Sequence, residues 1–484
     1  SPNPQTIKES KMDHQNDNKP NRRNFLKIVG AGAAASTAIS TAAFYGCKPD
    51  TQSANNSKLG EVPTDKMTYR INSRSGDKVS LLGYGCMRWP LKQKADGSGE
   101  EIDQDAVNEL VDYAIAHGVN YFDTAPVYIR GWAETATGIA LKRHPRDKFF
   151  IATKLSNHRS IDPAVSESEA RSFDYSVNLY RQSLKKLQVD YIDYYLLHNV
   201  GTGNMKTFKE RFYENGMVDF LLKEKEAGRI RNLGWSFHGD IGAFDFLVAE
   251  KIQWDFAMIQ LNYVDWQNAT GFNTNAEYLY AELVKRGIPV VVMEPLLGGR
   301  LSRLPSNAFA LQKQMLPEET PASWAFRYAG TPESVLTVLS GMVYMEHLQE
   351  NIRTYAPLQP LNKQEYAVLE NVTNLLLHAN FIPCTECQYC MPCPYGLDIP
   401  SIFAHYNRCV TEGNLPKDSQ DQNYRRARHA FLTTFDRGIP KERSFNHCIG
   451  CSLCIEKCPQ KLPIPEHMER IDKFVEQLKQ GTFI

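Results

Sequence analysis

The sequence has no excess of charge of either sign: 55 lysines and arginines are matched by 55 aspartates and glutamates. Such a balance leaves no electrostatic footprint for nucleic acid or an anionic membrane surface, so no nucleic-acid partner is expected. Most of the chain is nearly without cysteine. Of the 11 cysteines, eight sit in two short runs, 384–393 and 448–458, so the count describes one region and not the whole chain. The long apolar stretch 28–45 is built largely from Ala, Gly, Ser and Thr, which is weakly apolar for a membrane-spanning helix. No glycine fingerprint of the open-sheet dinucleotide fold follows the first strand. At 484 residues the chain is too long for one compact domain.

What is present, from Met67 onward, is an alternation. An apolar run at 79–85 reads as a strand. Residues 105–117 carry Val107, Leu110, Val111, Ala114 and Ile115 at helical spacing, and Gly118 stops them. Further strands are expected at 120–124, 149–154, 191–198, 230–236, 256–262, 288–294 and 334–340. Helices are expected at 132–143, 173–187, 220–227, 243–250, 276–286, 321–328 and 345–355. Eight strand–helix pairs in residues 67–357 argue for a (β/α)8 TIM barrel rather than a doubly wound sheet.

The stretch 121–128 centres the chemistry. Asp123 lies at the end of a buried strand, Ala125-Pro126 break it, and Tyr128 follows in the loop. A tyrosine donates a proton near neutral pH only if a cation or acid lowers its pKa. Lys154 ends the next strand, and His198 the one after. Taken singly, each fits a structural role: a cap, packing, a solvated amine, a bonded core histidine. Together they fall at the C-terminal rim, where barrel active sites sit.

These residues resemble the Asp-Tyr-Lys-His tetrad of the aldo/keto reductases, over residues 67–357. The resemblance implies that Tyr128 gives a proton to a carbonyl oxygen and Lys154 lowers its pKa. Asp123 pairs with Lys154, His198 hydrogen-bonds the carbonyl, and a nicotinamide, NADH or NADPH, supplies hydride. It also implies a nicotinamide site. Ser236 matches the serine that holds the carboxamide and Gln260 the glutamine beside it, while Phe237 stands where asparagine is usual. Met293 replaces the tyrosine that stacks on the ring. The last loop, Ser340-Gly341 onward, reaches Glu350-Asn351 at the adenine side without a single Lys or Arg. A 2′-phosphate there would lack charge-assisted hydrogen bonds, which argues against a grip on NADP. Trp89 and Trp132 are candidates for pocket walls or for plain packing.

The C-terminal part, 358–484, opens with an expected connecting helix at 362–380. Two motifs follow: Cys384-x2-Cys387-x2-Cys390-x2-Cys393-Pro394 and Cys448-x2-Cys451-x2-Cys454-x3-Cys458-Pro459. The second has the spacing of two-cluster ferredoxins and the first is one residue short of it. The resemblance implies a small helical ferredoxin-like domain with two 4Fe-4S clusters, one on Cys384, Cys387, Cys390 and Cys458, the other on Cys448, Cys451, Cys454 and Cys393. Zinc on Cys-x2-Cys pairs, or four disulfides, are the competing readings. Cys86 and Cys409 read as packing. The nearest family is the iron–sulfur branch of the aldo/keto reductases.

The N-terminus, 1–47, is not expected to be part of the fold. Arg22-Arg23 before the apolar stretch resembles a twin-arginine export signal, and Phe44-Tyr45-Gly46-Cys47 an imperfect lipobox that would lipidate Cys47. Residues 48–66 read as a flexible tether. The expected location is the periplasm or its membrane face. Two functions remain: an oxidoreductase acting on a small carbonyl or alcohol substrate, or an exported electron-transfer protein that serves a redox partner protein and uses the barrel for docking.

Overall fold

The computed structural model describes residues 61–483 apart from 159–161, 163 and 271–272. The expected export signal, Cys47 and most of the tether lie outside the described residues. Val62–Ile484 make up one compact unit.

The chain enters through an antiparallel hairpin, Tyr69–Ile71 (β1) with Lys78–Ser80 (β2). The strand expected at 79–85 is therefore split at Leu81. The Ser80 amide donates to Asn120 Oδ1 and its hydroxyl to the Leu82 carbonyl, which turns the chain between the two halves. Only the second half, Leu82–Gly85 (β3), enters the barrel. A second hairpin, Leu91–Gln93 (β4) with Glu100–Ile102 (β5), follows it.

Seven more strands complete the barrel: Tyr121–Asp123 (β6), Phe150–Leu155 (β7), Ile192–Val200 (β8), Ile230–Phe237 (β9), Phe256–Gln260 (β10), Val290–Met293 (β11) and Val335–Ser340 (β12). All neighbours are parallel, and β12 pairs with β3 to close the circle. The interior is filled by side chains, as in other small barrels. Tyr194 packs edge-on against both Tyr121 and Phe256, with centroids 5.0 Å apart in each case. Outside, the apolar stripes of the helices meet the outer faces of the strands in the larger core. Helix starts are set by caps: Asp103 accepts from Ala106 N, and Ser172 from Tyr175 N.

The helix Lys363–Leu377 begins in a capping box between Asn362 and Glu365. Its Leu369, Val372 and Leu376 join the barrel's core although the barrel was expected to end at 357. The cysteine-rich segment has its own core from Ile382 onward. It is built on the helices Ile399–Thr411, Tyr424–Gly438 and Ile464–Gln480, beyond the expected connecting helix. Among the described residues, no helix is long and apolar enough to cross a membrane.

Candidate active site at the C-terminal rim of the barrel

Asp123 is the last residue of β6 and Lys154 the fifth of β7, and both are buried. Lys154 Nζ donates to Asp123 Oδ1 at 2.5 Å and to the Thr124 carbonyl at 2.8 Å. The same ammonium stands 4.9 Å from the centroid of the Tyr128 ring. Tyr128 starts a short turn whose next two residues, Ile129 and Arg130, have φ of 47° and 54°. Two successive non-glycine residues in the left-handed region cost on the order of 1–3 kcal/mol each, and such strain clusters at functional sites. His198 lies within β8, two residues before its end, with its ring 6.1 Å from that of Tyr128. Ser156 Oγ and His198 Nδ1 are hydrogen-bonded at 2.5 Å, which fixes the orientation of the imidazole. The structure thus brings all four expected residues together.

Their electrostatics are governed by burial. Burial pushes Tyr128 well above the ordinary phenol range, and the charges of Asp123, Cys86, Glu294 and Cys387 push it the same way. That direction is opposite to the lowering expected from Lys154, whose effect is outweighed by desolvation and by the carboxylate. The phenol is therefore held as O–H, able to donate. Burial pulls His198 well below its ordinary value, with His158, Lys154, Arg211 and His238 adding to it, so the imidazole is neutral. Asp123 is raised by burial and held down by Lys154.

Trp89 is core, not pocket wall: its Nε1 donates to Thr137 Oγ1 at 3.0 Å and its ring lies 4.8 Å from Tyr84. Trp132 is 38% exposed beside the Tyr128 turn.

The expected nicotinamide residues sit on the other half of the rim, and their polar groups are already engaged. Ser236 Oγ accepts from Asn199 N at 2.9 Å. Phe237 packs on Phe244 at 5.3 Å. Gln260 Nε2 donates to Asp265 Oδ2 at 2.5 Å, and its Oε1 accepts from Gln460 Nε2 at 3.3 Å. Met293 packs against the barrel interior. Gly341 has the Arg88 side chain beside it, and Asn351 Nδ2 donates to Ser340 Oγ at 3.0 Å. These residues do not fit a nicotinamide held as the resemblance implies, because the amide-binding groups have protein partners.

The first cysteine motif lies against this rim. Arg88 Nη2 donates to the Thr385 carbonyl at 3.0 Å. Gly298, at φ +67°, is so close to Thr385 that a Cβ there would come within 2.4 Å of its Cα. Burial raises the Cys384 thiol to about 12 and Cys387 to about 11; Cys458 adds to both. Cys390 is raised by burial and then by Cys387, Cys384, Cys458 and Cys454. Cys454, raised to about 11, has Cys448, Cys451 and Cys393 as its charged neighbours. Cys390, Cys393, Cys448, Cys451 and Cys454 line one pocket together with Ile464 and Met468. Cys458 beside Cys384 and Cys387, and Cys393 beside Cys454, fit two clusters with crossed fourth ligands, with Cys390 standing between the two sets. The ten described cysteines are free. Among the described residues, no three His, Cys, Asp or Glu side chains converge on a single ion.

Residues 81–374 match the aldo/keto reductase family. The chain belongs to that family. Residues 383–463 match the 4Fe-4S dicluster domain. Among the relatives, the L-galactose dehydrogenase of Arabidopsis thaliana is 25% identical over 335 residues, covering 64% of this chain and 97% of that one. Protein tas of Escherichia coli is 32% identical over 204 residues, 38% of this chain and 56% of its own. Among solved structures, the aldo-keto reductase AKR11C1 of Bacillus halodurans in its holo form superposes with a TM-score of 0.51 at 25% identity, over 63% of this chain and 96% of that one. This aldo/keto reductase is an oxidoreductase enzyme, and it carries an iron–sulfur domain that its family match does not include.

Around the tetrad of this aldo/keto reductase are residues that sequence reasoning missed. Arg211 is buried, with Nη2 donating to the His198 carbonyl at 2.5 Å and Nη1 to the Asn199 carbonyl at 3.1 Å. Burial, then Arg171, lowers it to about 9. It lies in a π-helical turn, Glu210–Glu214, which becomes visible only in the folded chain, and such turns often occur at functional sites. Gln460 is equally unmarked in the sequence, since its partners Gln260 and Asn273 are about 200 residues away.

Proposed function

We propose that this chain interconverts a small carbonyl compound and its alcohol, with Tyr128 as the acid that gives a proton to the carbonyl oxygen. The carrying observation is the buried Lys154–Asp123 pair at 2.5 Å, set 4.9 Å from the Tyr128 ring at the barrel's C-terminal rim. Neutral His198, fixed by Ser156, donates a hydrogen bond to the same oxygen. Lys154 stabilises the phenolate that Tyr128 leaves behind and offsets the burial that opposes it. In the oxidising direction Tyr128 takes the proton back. The name of the Arabidopsis relative favours a sugar-like hydroxy-carbonyl substrate.

The eight motif cysteines would hold two 4Fe-4S clusters, with Cys384, Cys387, Cys390 and Cys458 on the side nearer Tyr128. Bound there, such clusters supply one-electron transfer. A redox partner protein is then the source or sink of the two electrons, passed one at a time, and the second proton of the reduction, the one on carbon, comes from solvent. Export, with Cys47 lipidated, accords with Arg22-Arg23 and the stretch that follows. The second reading, an electron-transfer protein with the barrel as docking module, is favoured by the engaged Gln260.

The test is Tyr128→Phe, purified without oxygen and assayed on a panel of sugars and small aldehydes with a low-potential chemical electron donor. Turnover is expected to fall by about 10²–10⁴-fold while iron content is unchanged. Unchanged turnover would refute the acid role and leave the electron-transfer reading.

A further inference from the structure

The rim position at Gln260 is closed by the chain itself. Gln460 comes from the loop after Cys458-Pro459 and is only 2% exposed. Its Nε2 donates to Gln260 Oε1 at 3.3 Å, and its Oε1 accepts from Asn273 Nδ2 at 2.6 Å. Gln260 in turn donates to Asp265 Oδ2, which also accepts from Asn262 Nδ2 at 2.7 Å. The result is a buried chain of amides running from the barrel's β10 end into the cysteine-rich segment.

A glutamine side chain ends in a primary carboxamide. It offers one carbonyl acceptor and two N–H donors, the same set that the carboxamide of a nicotinamide presents. We propose that Gln460 determines the electron donor of this enzyme: its carboxamide takes the position at Gln260 that a nicotinamide's carboxamide would need, and so keeps free NADH and NADPH off the barrel. This rests on the reading of Ser236 and Gln260 as the carboxamide site.

The plug is anchored at both ends. Cys458, two residues before, is grouped with Cys384, Cys387 and Cys390; Leu462, two residues after, lies in the core of the cysteine-rich segment. Lys461 between them is in the left-handed region at φ 49°. Withdrawing Gln460 would strand the buried carboxamide of Gln260 and unpair the half-buried one of Asn273, at a cost a weakly held ligand does not offset. The absence of any Lys or Arg from Ser340 to Asn351 points the same way, since the dinucleotide's other end would have little to hold it.

The test is a titration of NADH and NADPH into anaerobically purified protein, read by nicotinamide fluorescence, for the wild type, Gln460→Ala, Asn273→Ala and Gln260→Ala. Gln460→Ala is expected to bind at least about tenfold more tightly than the wild type, and Asn273→Ala to shift the same way by less. Asn273→Ala leaves the cysteine loop unaltered, so it decides the matter if Gln460→Ala loses iron. Equal affinities in the wild type, Gln460→Ala and Asn273→Ala, with Gln260→Ala weaker than all three, would overturn the plug but keep the nicotinamide site. No binding by any variant would overturn both.

Discussion

Between β6 and β8 the rim carries Asp123, Lys154 and His198, and between β9 and β12 it carries Ser236, Gln260 and Asn351. All six are buried polar residues, five at or near strand ends and Asn351 on the helix Met345–Tyr355 that follows β12. In the first arc the groups converge on each other, and the buried Asp123 Oδ2 has no hydrogen-bond partner. In the second arc the amides and the hydroxyl have partners within the protein: Asp265, Gln460, Ser340 and the Asn199 amide. Buried polar groups must be satisfied somewhere, and a group left unsatisfied costs about 1–3 kcal/mol. The first arc bears that cost at Asp123, beside the acid Tyr128, while in the second it falls on Asp265 Oδ1 and the groups expected to meet a dinucleotide are themselves bonded. The difference teaches that a preserved residue type at a rim position does not by itself mean a preserved ligand.

The comparison can be broken most sharply at Lys154. Lys154→Met leaves the Asp123 carboxylate buried without its cation, and stability is expected to fall by roughly 3–5 kcal/mol in urea unfolding. Adding Asp123→Leu should restore most of that loss; a double variant no more stable than the single one would show that the pair is not what holds the arc. The next effect in size comes from acid. Burial lowers His238, the residue after β9, to about 4. Above pH ~6.5 both folded and unfolded states are neutral there and the contribution is complete. As pH falls toward 4 the unfolded chain takes up a proton that the native chain refuses, so stability drops, by at most roughly 3 kcal/mol from this residue, and levels off below that. His238→Gln should flatten the melting temperature between pH 6.5 and 4 in calorimetry; an unaltered slope would assign the acid sensitivity elsewhere, His198 being shifted in the same direction. The smallest effect belongs to the second arc. Asn351→Ala removes one buried bond to Ser340 and is expected to cost about 1 kcal/mol in urea. A variant of full stability that had lost dinucleotide affinity would instead show that arc to be an open groove.

Much of the barrel is legible in the chain because its signals are local. The helix Phe173–Leu187 and the helix Met345–Tyr355 follow from apolar spacing alone. Asp123, Lys154 and His198 stand out because an ionisable residue that closes an apolar strand run is costly to bury unless a partner or a reaction uses it. The break at Leu81 is not legible, since residues 79–85 read as one apolar run and the turn depends on Asn120, far along the chain. Phenol acidity is also beyond the sequence: it depends on how much burial opposes Lys154, a matter of packing and not of residue identity. The closure of Gln260 is the extreme case, because two ordinary glutamines 200 positions apart carry no pattern at all.

The helix Lys363–Leu377 lends its apolar face to the barrel, and only after it does the chain acquire a second core. The natural seam of the molecule therefore falls near residue 380 and not at the end of the eighth strand–helix pair. A gene fragment cut at 357 would bare an oily groove on the barrel, whereas one cut at 380 would carry its own cover and expose instead the rim that Gln460 normally stoppers.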